Sequence, residues 1–266
     1  AAGIPEPESD AWILLEHVTG MTRTRYYVDG FERMPKNEED RFFELVSCRK
    51  TRIPVQHLTG VQEFMGLEFQ VNEHVLIPRQ DTELLVLEAE KQLKSMNVDQ
   101  KQVLDMCTGS GCIAISLKKR NPEISCQGAD ISEKALETAR KNAQILDTGI
   151  DFTQTNMFTN IEGSFDMIVS NPPYIPTKAI KELEEEVRLH DPFAALDGKE
   201  DGLYFYRILA KESPCYLKQG GWLYMEIGYD QSEAVEQLLM QAGFTQIRTE
   251  KDLAGLDRVV CGVYNK

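Results

Sequence analysis

The sequence predicts an α/β protein whose larger part is a doubly wound, mainly parallel sheet, preceded by a small helical domain and a linking β-hairpin. Three observations carry this. From Gln102 onward, short apolar runs alternate with stretches of helical periodicity, the pattern of βαβ units. Before Pro54, apolar residues recur at helical spacing. Between the two, short β-like runs flank Met65-Gly66, which suits a tight hairpin turn. The 266 residues accordingly divide into a helical domain over 1–55, a linking hairpin segment over 56–80 and a sheet domain over 81–266.

Within 10–19, Ala11, Leu14, Leu15 and Val18 share one helical face, and Ser9 or Asp10 can cap the start. A second helix opens at Asn37-Glu38-Glu39-Asp40 and carries Phe42, Phe43, Leu45 and Val46, with both aromatics read as core. Strands over 62–64 and 67–71 make the hairpin, and Val75-Leu76-Ile77-Pro78 ends the linking segment. Asp81 or Thr82 can cap a helix running to Met96. A strand over 102–106, a helix over 112–120, a strand over 124–129, a helix over 132–146 and strands over 150–154 and 165–169 follow. A helix over 203–217, a strand over 221–227, a helix over 232–242 and strands over 245–250 and 258–264 close the chain. The last two strands have no helix between them and are expected to pair antiparallel at one edge. The charged run at 181–186 reads as a solvated helical face.

Composition narrows the function classes. Asp and Glu number 43 against 29 Lys and Arg, giving a net charge of −14. That charge weighs against a phosphate-backbone partner, so no direct nucleic-acid binding is expected. No apolar run approaches the roughly 20 residues needed to cross a bilayer. The expectation is a cytoplasmic protein with no membrane partner. None of the six cysteines forms a C-x-x-C pair and the four histidines are scattered, which argues against both zinc and a disulfide framework. No metal is expected.

Val103-Leu104-Asp105-Met106-Cys107-Thr108-Gly109-Ser110-Gly111-Cys112-Ile113-Ala114 passes from strand to helix through two glycines. Glycines there allow unusual backbone angles and close approach of a ligand. Asp130, at the end of the next strand, can accept hydrogen bonds from both ribose hydroxyls. The pattern points to a nucleoside without identifying it, because Gly109 to Ala114 matches G-x-G-x-x-A of dinucleotide sites as well as the turn that binds S-adenosylmethionine.

Asn171-Pro172-Pro173-Tyr174 follows the strand over 165–169, on the same carboxyl rim as Gly109 and Asp130. Two prolines fix the backbone and remove two N–H donors, leaving the Asn171 side-chain oxygen and the Pro172 carbonyl as acceptors. Acceptors beside an aromatic suit a planar group bearing NH2, a carboxamide or an adenine amine. An amide nitrogen is a poor nucleophile because its lone pair is delocalised. Holding both its hydrogens aims it at a methyl donor and favours the pyramidal geometry that develops on attack. Tyr174 can stack on the planar group and exclude water.

This tetrapeptide resembles the N-P-P-Y signature of S-adenosylmethionine-dependent methyltransferases that modify planar NH2 groups. Further blocks, Pro54-Val55-Gln56-His57-Leu58-Thr59-Gly60, Phe64-Met65-Gly66-Leu67-Glu68-Phe69-Gln70-Val71 and Val75-Leu76-Ile77-Pro78-Arg79, resemble the segment before the catalytic domain in the peptide-chain release factor glutamine methyltransferases (PrmC/HemK family). The resemblance spans nearly the whole chain. Nucleic-acid-modifying relatives share N-P-P-Y but usually lack the upstream blocks.

The resemblance implies a Rossmann-like class I S-adenosylmethionine-dependent methyltransferase sheet. It implies methyl transfer from S-adenosyl-L-methionine, leaving S-adenosyl-L-homocysteine, to the glutamine side-chain nitrogen in the Gly-Gly-Gln motif of class 1 release factors. The helical domain would then help recognise that protein. By position, Cys107, Thr108, Gly109, Ser110 and Gly111 would form the cofactor turn, Asp130 would hold the ribose and Met157 would lie against the adenine. Asn171, Pro172, Pro173 and Tyr174 would bind the glutamine, with Asn171 and the Pro172 carbonyl catalytic and Asn171 also near the cofactor. The chain departs from the family in three places. Cys107 stands for the first glycine of the turn, Gln80-Asp81 for Pro-Glu after the arginine, and Met157 for a frequent tryptophan.

Three rival functions stand beside this one. They are a methyltransferase for an exocyclic amine of adenine or guanine in RNA or DNA, a nicotinamide-dependent oxidoreductase resting on the glycine turn alone, and a non-catalytic nucleoside-binding module. Arg79, Glu226, His190 and Asp191 fall near the rim without spacing that demands a role.

Overall fold

The structure, a computed structural model, describes residues 3–30 and 33–265. Four helices come first: α1 (Pro7–Thr19), α2 (Arg23–Asp29), α3 (Lys36–Arg49) and α4 (Val55–Thr59). Leu14, Leu45 and Val55 form their core, with Phe42 and Val46 packed against it. Helix α1 starts earlier than expected, because Pro7 occupies its first turn, where a missing N–H costs nothing. Neither Ser9 nor Asp10 caps it, and Asp10 instead accepts a 2.7 Å hydrogen bond from Arg49 Nε. Phe43 is 57% exposed, so only Phe42 belongs to the core.

The hairpin pairs β1 (Val61–Phe64) with β2 (Leu67–Gln70). Met65 and Gly66 both take positive φ, 54° and 73°, the signature of a tight primed turn. Side chains of the larger domain hold the hairpin in place. Glu83 accepts a hydrogen bond from the Met65 amide, and Asn142 bonds both the amide and the carbonyl of Gln70.

The larger domain runs α5 (Thr82–Ser95), β3 (Gln102–Met106), α6 (Cys112–Arg120), β4 (Ser125–Asp130), α7 (Glu133–Ile145), β5 (Asp151–Gln154) and β6 (Phe165–Ser170). After a long connection carrying α8 (Glu185–His190) and α9 (Phe193–Leu196) come α10 (Tyr204–Glu212), β7 (Leu217–Glu226), α11 (Ser232–Gln241), β8 (Phe244–Lys251) and β9 (Asp257–Tyr264). The sheet order is β5-β4-β3-β6-β7-β9-β8. Strands β3 to β7 are parallel, and β9 is antiparallel to both β7 and β8. Two apolar clusters fill the faces, one against α5 and α6, the other against α10 and α11.

Two further sequence expectations need correction. The helix expected over 203–217 ends at Glu212, since Pro214 lacks the N–H to continue it, and β7 begins at Leu217. The charged run at 181–186 is not simply solvated. Glu186 lies 2.8 Å from Arg49 Nη2, and Arg49 also reaches the Ile53 carbonyl, so one buried guanidinium joins α1, α3 and α8.

Candidate active site

Chain order reverses around β3, with β4 and β5 on one side and β6 on the other, and ligand crevices form at such switch points. A cavity of about 360 Å³ opens there, over the carboxyl ends of β3, β4 and β6. The linking segment before α5 and the start of α9, Pro192 to Ala195, close its other walls.

The glycine turn forms its floor. Cys107, Gly109 and Gly111 have φ of 64°, 56° and 81°. At Gly111 a Cβ would also meet Ile115 at 3.0 Å and Ala139 at 3.2 Å, so that position admits only glycine. At Gly109 nothing lies within 4 Å of a built Cβ, and the backbone faces open space. Asp130 fixes the turn across the crevice. Its Oδ2 accepts from the Gly109 amide and its Oδ1 from the Ser132 amide, each at 2.9 Å. Burial raises the Asp130 pKa, and these backbone donors oppose the shift. Beneath the turn, Asp105 Oδ2 accepts from Thr108 Oγ1 at 2.6 Å and from the Ala114 amide at 3.1 Å. Burial pushes Asp105 up to about 7, against those two bonds. A carboxylate in an otherwise apolar strand was the available signal for this brace. Burial also raises the Cys107 thiol, and that side chain packs with the cluster beneath it.

Asn171 lines the opposite wall. Its Nδ2 donates to Thr82 Oγ1 at 3.2 Å. The backbone after it is held by Gln231, whose Nε2 donates to the Tyr174 carbonyl at 2.9 Å. Gln231 Oε1 in turn accepts from the Gly228 amide at 2.9 Å and lies 3.3 Å from the Tyr206 hydroxyl.

The cavity thus brings together Cys107, Thr108, Gly109, Ser110, Asp130, Met157, Asn171 and Pro173. Gly111, Pro172 and Tyr174 do not line it. Pro172 is buried, and Tyr174 packs against the apolar cluster of α10 and α11 rather than facing a planar guest. Burial pushes the Tyr174 hydroxyl up to about 12. Met157 has φ 50° and is nearly buried at the rim. Arg79 also lines the cavity, and its Nη2 lies 2.7 Å from the buried Asp191, which directly follows α8. Sequence reasoning assigned no role to Thr82 beyond capping, yet Asp81 precedes α5 without a side-chain cap bond and Thr82 serves Asn171 instead. Among the described residues, no group of three or more His, Cys, Asp or Glu could hold a metal, and no helix is long and apolar enough to cross a membrane.

Comparison with known proteins decides the family. Residues 1–60 match the family described as the PrmC N-terminal domain, and residues 80–187 match the methyltransferase small domain. A release factor glutamine methyltransferase of Caulobacter vibrioides is 43% identical over 267 residues, covering 99% of this chain and 92% of that protein. The chain belongs to the release factor glutamine methyltransferase family. A second member, from Geobacter sulfurreducens, is 39% identical and covers 98% of this chain and 90% of its own length. The sheet is shared more widely. A methyltransferase structure from Pyrococcus furiosus superposes with a TM-score of 0.57 at 15% identity, over 83% of this chain and all of the other, and speaks to the fold alone. Membership makes the chain an S-adenosylmethionine-dependent methyltransferase with a Rossmann-like sheet.

Proposed function

We propose that the chain transfers a methyl group from S-adenosylmethionine to the side-chain nitrogen of the glutamine in the Gly-Gly-Gln motif of class 1 release factors. One observation carries the reading. Asn171, its Nδ2 turned onto Thr82 and its oxygen thereby left to accept, lines the same cavity as the Gly109 turn and Asp130.

The residues present fit the cofactor, because the open backbone at Gly109 and the carboxylate of Asp130 make a cradle for a ribose and its neighbouring chain. S-adenosylmethionine supplies an electrophilic methyl on a sulfonium. Residues Cys107, Thr108, Gly109 and Ser110 would hold its chain through their backbone, with Gly111 shaping the turn behind them, Asp130 would accept from the ribose hydroxyls, and Met157 would cover the adenine. Asn171 Oδ1 and the Pro172 carbonyl accept the two hydrogens of the glutamine amide and aim its nitrogen at the methyl. Two fixed acceptors stabilise the N–H bonds as positive charge develops on nitrogen. Pro173 forms the wall beside the glutamine, and Tyr174 holds the segment in place through its bond from Gln231. Residues 1–55 serve as a substrate-recognition domain, 56–80 as the linking hairpin segment and 81–266 as the methyltransferase domain. The setting is cytoplasmic, with a release factor and no nucleic acid as the direct partner.

The test mixes the protein, S-adenosylmethionine and an unmodified release factor, then reads the Gly-Gly-Gln peptide by mass spectrometry. One added methyl on the glutamine, absent with Asn171→Ala, is the expected result. Methyl found instead on bulk RNA or DNA would overturn the substrate assignment.

A further inference from the structure

Strand geometry puts two polar side chains where the core should be apolar, and the first turn of α5 adds a third. Alternation along β7 sends Trp222, Tyr224 and Glu226 to one face, and Trp222 and Tyr224 pack in the cluster against α5 and α6. In β6 the same face receives Met167 and Val169, and Asn171 comes next in phase. Ser170 pairs in register with Met225, so Asn171, the first residue past β6, follows alongside Glu226 at the end of β7. Thr82, the first residue of α5, stands over both.

Glu226 is 2% exposed, and its Oε2 has no hydrogen-bond partner. Burial pushes its carboxyl up to about 7, while the Thr82 and Asn171 side chains and the nearby Arg258 oppose that rise. A buried carboxylate is costly unless something compensates it, so its retention here asks for a reason.

We propose that Glu226 is a positioning residue that sets the polarity of the Asn171 amide through Thr82. The inference rests on the assignment of Asn171 as the acceptor for the glutamine amide. An ionised carboxylate can only accept hydrogen bonds. The Thr82 hydroxyl next to it therefore donates toward Glu226, and its oxygen is left to accept. The 3.2 Å bond from Asn171 Nδ2 to Thr82 Oγ1 has that polarity. With its NH2 end held, Asn171 must turn Oδ1 to the cavity. An asparagine amide flipped by 180° would offer a donor to the substrate nitrogen and repel the hydrogens it has to hold. Reversing the relay needs a donor at position 226, which a glutamine or a protonated glutamate supplies.

The experiment compares wild type with Glu226→Gln and Thr82→Val, using a Gly-Gly-Gln peptide and S-adenosylmethionine. Each protein is measured for kcat, peptide KM, cofactor Kd, melting temperature and the pH dependence of kcat. Glu226→Gln should lower kcat by about tenfold to a hundredfold, the scale of a misaligned reacting group, with KM and Kd within about threefold of wild type. Wild-type kcat should rise with pH through about 7 as the carboxyl ionises, and Glu226→Gln should lose that limb. The other groups facing the carboxyl are Asp81, Arg258, Tyr174, Tyr206 and the Cys112 thiol. Burial holds the three neutral ones uncharged through this range. Thr82→Val should lower kcat in the same sense, and carries the test if Glu226→Gln does not fold. Unchanged kcat in the folded variants, or equal losses in kcat and cofactor binding, would overturn the proposal. A wild type that binds cofactor but leaves the peptide unmethylated would instead overturn the substrate assignment, and the inference with it.

Discussion

The two ends of the cavity are built by different means. At the cofactor end, position is set by the main chain: positive-φ residues at 107, 109 and 111, and an Asp130 carboxylate that holds backbone amides. At the acceptor end, position is set by side chains: Asn171 on Thr82, with Gln231 pinning the backbone beyond. A backbone-built site tolerates side-chain variation as long as the dihedrals survive, and Cys107 and Met157 stand in such places, both with positive φ. A side-chain-built site has no such slack, since each atom of the relay has one permitted polarity. Substitutions should therefore split by end, cofactor affinity moving at one and turnover at the other.

The largest effect should come from Asn171→Ala. Removing an acceptor aimed at developing charge typically costs about a hundredfold to a thousandfold in kcat. Cofactor Kd, read by calorimetry, should stay within about threefold. Comparable losses in both would mean that the two ends are not separable. Asp130→Ala should do the opposite. It removes charge-assisted bonds to the ribose and frees the Gly109 amide, and hydrogen bonds to a charged group contribute about 1.5–3 kcal/mol, so Kd should weaken about tenfold to a hundredfold. At saturating cofactor, kcat should fall much less.

The same difference governs how legible each end was. The glycine turn, Asp130 and Asn171 could be read in the sequence because local strand–turn–helix chemistry dictates them and strand order puts them on one rim. The sheet alternation was readable for the same reason, down to the antiparallel closing strands. The supporting side chains were not. Thr82 lies 89 residues from Asn171, and Gln231 lies 57 from Tyr174, and no periodicity announces such pairs. The packing of Tyr174 was not legible either, because its contacts are with a cluster built by residues far along the chain, against α10 and α11. The connection from Ile175 to Gly202 defeated pattern reading as well. It holds only short helices, tied by a bridge between Ile175 and Asp197.

A smaller effect is expected where the helical region meets the larger domain. Arg49 is 7% exposed and pairs with Asp10 at 2.7 Å and Glu186 at 2.8 Å. Arg49→Ala strands two carboxylates that keep partial access to water, so the loss should be about 1–3 kcal/mol, below the cost for a fully buried pair. A melting scan should fall by roughly 2–4 °C per kcal/mol for a chain of this class. If 1–55 recognises the substrate protein, KM for an intact release factor should rise several-fold while KM for a short peptide holds. An equal rise for both would place recognition entirely at the cavity.

The smallest effect should belong to Cys107→Gly, and its sign tests the idea of a backbone-built end most sharply. Cys107 holds φ 64°, a conformation costing a side-chain-bearing residue about 1–2 kcal/mol that glycine does not incur. Glycine gives back about 0.4–1 kcal/mol through the extra freedom of the unfolded chain, and the lost packing of the thiol against its cluster removes more of the gain. These contributions nearly cancel, so the melting temperature should move by no more than about 3 °C in either direction. Cofactor Kd should stay within about twofold, because what the turn offers its ligand at 107 is main chain. A tenfold weakening would show that the thiol itself touches the cofactor, and that the cofactor end depends on side chains as much as the acceptor end does.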